Sequence, residues 1–186
     1  MKKQFVMMIT GILMLAGSSQ LMAAAQYTIT DLSTLGGSNS DAWGINNSGH
    51  VVGFSGITGD SACHAFLYDG TAMHDLGTLG GSTSWAYRIN NNGQVIGWSD
   101  ITGDFANHAF LYDGDNMIDL NTLLPIGSSW VLEKAYSIND SGQIIGKGYI
   151  NGQYKSFLMT PVPEPATLLL LGFGFAMLRK NIKKTV

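Results

Sequence analysis

The chain has 186 residues, 45% of them hydrophobic and 12% charged, with a formal net charge of −3. Six of its ten basic residues sit at the two termini, so the stretch between sets only Arg88, Lys134, Lys147 and Lys155 against nearly all of the acids. Such an acidic body is a poor partner for nucleic acid, whose phosphates need a basic surface, and a single cysteine, Cys63, excludes an intrachain disulfide.

In chain order, Lys2 and Lys3 precede an apolar run from Phe5 to Ala16, and Ala23-Ala24-Ala25 stands before Gln26. A basic flank, a short apolar core and small residues at Ala23 and Ala25 are the pattern of a secretory signal peptide. Residues 1–25 are therefore expected to be a hydrophobic targeting helix, cut off before Gln26. No cysteine lies near the cut, which excludes a lipoprotein. The mature body, 26–160, then faces the periplasm or the exterior.

That body repeats itself. Asp31-Leu32-Ser-Thr-Leu35-Gly36-Gly37-Ser38 returns as Asp75-Leu76-Gly-Thr-Leu79-Gly80-Gly81-Ser82, and Ile45-Asn46 returns as Ile89-Asn90. Gly49-His-Val-Val-Gly53 returns as Gly93-Gln-Val-Ile-Gly97, and His64-Ala-Phe-Leu-Tyr-Asp-Gly70 as His108-Ala-Phe-Leu-Tyr-Asp-Gly114. Each pair is offset by 44 residues. A third copy starts at Asp119-Leu120, gains five residues before Ile138-Asn139, and ends at Ser156-Phe157-Leu158. The visible break in the repeat is Trp130-Val131-Leu132-Glu133-Lys134, read as an inserted segment.

Each copy reads as four short strands. Ala42–Asn46 and His50–Ser55 flank a three-residue turn with glycine at its left-handed position. His64–Tyr68 follows, and Asp69-Gly70 turns the chain into a fourth strand near Met73–Leu76. Asn151-Gly152 in the third copy is a tight-hairpin signal. The fold class is all-β: three four-stranded repeats, propeller-like, between hydrophobic targeting helices at the two ends. A lone strand, Tyr27–Leu32, matches a fourth strand and is expected to pair near Phe157 and close the ring. A β-trefoil and an open stack have the same strand count.

The HAFLYDG heptapeptide, with DLGTLGGS and the IN-x-x-GQV-x-G element beside it, resembles the HAF repeat of bacterial extracellular proteins over roughly residues 27–160. The resemblance implies export and names no activity.

Candidate chemistry is sparse. His64 and His108 open equivalent strands, and Lys155 stands near that position in the third copy, so the histidines do not make one metal site; structural hydrogen bonding is the expected role. Asp60 and Asp104, with Asp69 and Asp113, are oxygen donors suited to calcium, but turn formation accounts for the latter pair. No catalytic residue, cofactor site or metal site is assigned. Trp98 aligns with Phe54 and reads as core, whereas Trp85 and Trp130 follow Gly-Ser segments and are the candidate glycan contacts.

The chain ends with Pro163-Glu164-Pro165, an uncharged run from Ala166 to Leu178, and a tail bearing Arg179, Lys180, Lys183 and Lys184. The prolines stop upstream structure from running into the apolar stretch. As a helix, that stretch would rise about 20 Å, short of a hydrocarbon core of about 30 Å. In this order the features resemble the PEP-CTERM sorting signal of Gram-negative bacteria. The resemblance implies that Pro163, Glu164 and Pro165 are read by a membrane-embedded exosortase, with 161–186 as a transient anchor whose basic end stays cytoplasmic. It further implies an inner-membrane-tethered precursor and a role in an exopolysaccharide matrix or biofilm; with no catalytic motif in view, the expected product is a non-enzymatic protein of the cell surface or matrix. The rivals are a glycan- or calcium-binding module and, less favoured, a periplasmic hydrolase.

Overall fold

The computed structural model describes residues 26–162. The chain divides into two compact units at Asp31–Leu32. Of the first unit, residues 26–31 are described and form no strand, with Tyr27 and Ile29 almost fully exposed. The described residues of the second unit hold eleven strands: β1 (Gly36–Ile45), β2 (Val51–Ile57), β3 (Cys63–Tyr68), β4 (Met73–Asp75), β5 (Gly80–Ile89), β6 (Val95–Ile101), β7 (Asn107–Tyr112), β8 (Met117–Asp119), β9 (Trp130–Ile138), β10 (Ile144–Ile150) and β11 (Gln153–Met159). One 3₁₀ turn, Leu120–Leu123, is the only helical element among the described residues. The targeting helices expected for 1–25 and 166–178, with Ala23, Ala25, Pro163, Glu164 and Pro165, lie outside the described residues.

The strands form three antiparallel meanders, β1-β2-β3-β4, β5-β6-β7-β8 and β9-β10-β11. The first two are superimposable in register: Val52 faces Leu67 as Ile96 faces Leu111, and each first strand carries a bulge beside its central alanine, Ala42 or Ala86. Each first hairpin turns through glycine at positive φ, Gly49, Gly93 and Gly142, a backbone shape that costs glycine no steric strain. Asn151 and Gly152 both take positive φ between β10 and β11, the geometry of a two-residue hairpin.

Sheets pack face to face in sequence order. β5 lies on β2 and β3, and β9 lies on β6 and β7. Two cores result. Val52, Ala65, Ala86, Ile89, Val95 and Phe110 fill the first, between sheets one and two. Ile96, Ala109, Leu132, Ala135, Ile138 and Ile144 fill the second. The middle sheet buries both faces, because side chains alternate along its strands: Val95 enters one core and Ile96 the other.

The ring does not close. Tyr27–Leu32 is not a strand, β11 pairs with β10 alone, and the first and third sheets share no substantial packing. The physical reason lies in the packing of successive sheets. β5 is committed to β2 and β3, and β9 to β6 and β7, so the middle sheet lies between the outer two with a core on each face and keeps them apart. The fold is neither a closed propeller nor a trefoil barrel; it is an open stack. A second expectation also changes. Trp130–Lys134 is no insertion: these residues begin β9, the equivalent of β1 and β5. The extra length is taken up by the 3₁₀ turn and the bend at Pro125–Ser128.

Candidate functional site

The strand that begins with His64 or His108 is tied to the strand after it. His64 Nδ1 lies 2.8 Å from Asp75 Oδ2, and His108 Nδ1 lies 2.6 Å from Asp119 Oδ2. Both imidazoles are four-fifths buried, and each joins the third strand of its sheet to the three-residue fourth. His74 Nε2 meets Asp69 Oδ2 at 2.7 Å in an exposed pair. No group of three or more metal-ligating side chains gathers among the described residues.

The aspartates are engaged locally. Asp60 and Asp104 take positive φ, and the Oδ1 of each accepts the Ser38 or Ser82 amide at 2.7 Å, pinning the start of β1 and β5. Asp69 accepts the Thr71 hydroxyl and the Thr71 and Ala72 amides; the Thr71 hydroxyl, the Ala72 amide and His74 hold its carboxyl far below the usual range. The Asn116 and Asp115 amides do the same, more mildly, for Asp113.

Between sheets, polar bonds recur at the first hairpin. Asn46 Nδ2 donates to Asn90 O, and Asn90 Nδ2 donates to Asn139 O. The Asn47 amide donates to Asn91 Oδ1, and the Asn91 amide to Asp140 Oδ1. Asn91 Nδ2 also donates to Asp140 Oδ2 at 2.8 Å, and these two bonds hold the Asp140 carboxyl below its ordinary range. Every one of these bonds runs from one repeat to the next.

Aromatic side chains mark the same seam. Trp43, Tyr87 and Tyr136 occupy one repeat position on β1, β5 and β9; their ring centroids are 5.0 and 5.8 Å apart. Trp43 and Tyr136, at the ends of this column, are exposed. Beside it Phe54 stacks on Trp85 at 4.3 Å, and Lys134 Nζ sits 4.6 Å over the Trp98 ring. Burial, with the nearby Lys147 charge, lowers the Lys134 pKa from its ordinary value. Trp98 is core, as its alignment with Phe54 implies.

The two candidate glycan contacts are not brought together. Trp85 is half-buried between Phe54 and Trp98, and its Nε1 is buried without a hydrogen-bond partner. One face of its ring is therefore already used. Trp130 is half-buried against Phe157, in a separate apolar cluster with Leu124 and Leu132. The exposed aromatics of the column are Trp43 and Tyr136 instead. The signal for them was the repeat offset itself, which puts Trp43, Tyr87 and Tyr136 in one column.

Compared with known families, residues 38–158 match the family described as Protein of unknown function (DUF3466), and residues 161–180 match the PEP-CTERM protein-sorting motif. No curated protein and no solved structure matches the chain.

Proposed function

Because the chain belongs to the DUF3466 family and carries a PEP-CTERM motif directly after its β body, we propose that it is an exosortase-processed, non-enzymatic repeat protein of the cell surface or extracellular matrix. The motif marks an exported protein, tethered to the membrane before processing. The single observation that carries the reading is the position of that motif, residues 161–180, immediately after the last strand, which ends at Met159. In this reading 1–25 is the signal peptide, 26–160 the HAF-like repeat body and 161–186 the sorting segment. The acidic, turn-rich body acts by binding, in company with exopolysaccharide. The reading is supported by the engagement of His64, His108, Asp60 and Asp104 in structural bonds.

The test is intact-mass measurement of the exported protein in a host with and without its exosortase. The expected mature species begins at Gln26 and ends near Pro163-Glu164-Pro165. Glu164→Ala should abolish the C-terminal cut and leave signal-peptide removal unchanged. A mature species that keeps Arg179 in the exosortase-positive host would refute the processing.

A glycan-binding role is the second reading, favoured by the exposed rings of Trp43 and Tyr136. Flat aromatic faces offer apolar area to sugar rings. Saturable quenching of tryptophan fluorescence by the host's exopolysaccharide, lost in Trp43→Ala, is its signature.

A further inference from the structure

The two ends of the stack are the two halves of an interface that the molecule already makes twice. At each internal junction the first strand of one repeat covers the second and third strands of the repeat before it. Among the described residues, the first strand at the start of the stack, β1, has nothing of that kind beneath it. Ile45 is 69% exposed, where its equivalent Ile89 is 7% exposed, and Ser40 and Ala42 are exposed where Ser84 and Ala86 are buried. At the other end no strand among the described residues covers the outer face of β10 and β11. Ile145 is 49% and Leu158 64% exposed, whereas Ile96, the equivalent of Ile145, is 0% exposed beneath β9.

Chemistry at the two faces is complementary position by position. At the first junction Phe54 of β2 meets Trp85 of β5 as an aromatic stack. At the second, Trp98 of β6 meets Lys134 of β9 as a cation–π pair. A third junction would bring Lys147, at the same position of β10, to Asp41, at the same position of β1: a cation facing an exposed carboxylate. The hairpin bonds continue in the same sense. Asn139 Nδ2 and the Asp140 amide stand where Asn90 Nδ2 and the Asn91 amide donate forward, and Asn46 O and Asn47 Oδ1 stand where Asn90 O and Asn91 Oδ1 accept. The aromatic column likewise ends on exposed Tyr136 and begins on exposed Trp43.

We propose that copies of this chain associate head to tail, with β1 of one copy laid on β10 and β11 of the next. The contact is heterologous, so it yields a closed ring if the rotation per copy permits and a filament otherwise. The occupant is a second copy because its two faces reproduce the junctions already present within one copy in apolar contact and in hydrogen-bond direction, and are complementary in charge.

The test is sedimentation velocity of the exported, processed protein over about a hundredfold range of concentration, where mass action exposes association. The wild-type protein should associate. Ile45→Asp alone and Ile145→Asp alone should each sediment as monomers, and their equimolar mixture should give one-to-one dimers, since each keeps the face the other lacks. Lys147→Asp should weaken association at least about tenfold, and adding Asp41→Lys in the same chain should restore most of it. These positions are surface-exposed or partly so, and an unchanged near-ultraviolet dichroism of the tryptophans checks that the fold survives. A wild-type monomer at every concentration overturns the proposal, as would a covering of β1 by the chain's own preceding residues, which gives the same monomer. Association that persists in Ile45→Asp alone, or in both single variants alike, belongs to another surface and also overturns it.

Discussion

Ser84→Ala is the sharpest test of how the sheets are joined. Ser84 lies on β5 with 0% exposure, and its Oγ accepts the Ala65 amide of the preceding sheet at 2.9 Å while donating to Gly77 O at 2.5 Å. Removing the hydroxyl strands the Ala65 amide, itself fully buried, and such an orphan donor costs about 1–3 kcal/mol. Loss of the bond to Gly77 O adds about 1 kcal/mol, partly recovered by water because Gly77 is half-exposed. The total is about 2–4 kcal/mol, a large part of the stability of an ordinary domain, about 5–15 kcal/mol. Ser82→Ala, on the same strand but exposed, removes the same atom and should stay within about 0.5 kcal/mol. Urea unfolding followed by tryptophan fluorescence measures both midpoints. A Ser84→Ala loss below about 1 kcal/mol, or equal losses for the two variants, would refute the inter-sheet role.

Other expectations are as direct. Gly97→Ala should destabilise by more than about 3 kcal/mol, because its Cβ would strike Trp85 O across the bulge and meet Phe110 Cε1 at 2.9 Å; a soluble variant with wild-type thermal midpoint contradicts this. His108→Ala should cost about 0.5–2 kcal/mol through the lost bond to Asp119, with no change in metal content by elemental analysis. The acid side of the stability profile has a definite sign. Asp69, Asp113 and Asp140 have depressed carboxyl pKa values in the folded state, so each stabilises fully above the unfolded value of about 4 and loses that contribution as pH falls below it. Urea midpoints should therefore be flat near neutrality and fall in acid, with Asp140→Asn giving a shallower fall.

The parts of the fold that were legible in the sequence are those set by local turn chemistry. Asn151-Gly152 and the glycine of each first hairpin specify their turns without help from distant residues, and the structure has them as read. The fourth strand misled for a reason of the same kind. β4 and β8 are three residues long; each is tethered by the hairpin at Asp69 or Asp113, and only then does the Asp of its Asp-Leu signature, Asp75 or Asp119, meet the histidine of the strand before it. Tyr27–Leu32 has the signature but no hairpin tether to β11, so its sequence match carried no pairing. Trp85, expected as a glycan contact from the Gly-Ser segment before it, packs between Phe54 of the neighbouring sheet and Trp98, contacts that the local sequence does not show. The hairpin-to-hairpin bonds were hidden by their range: Asn46 and Asn90 look like ordinary turn residues until the sheets are stacked.

Export gives the open stack a practical consequence. A chain that crosses a membrane from its N-terminus presents its repeats one at a time. In a closed ring the first strand would wait, unpaired and adhesive, until the last had emerged. Here each sheet takes its partner from the segment immediately adjacent in sequence, so ordering can keep pace with emergence and no distant segment is awaited. The body can thus be complete while the sorting segment that follows β11 is still held at the membrane, and a protease acting there would cut behind a finished domain.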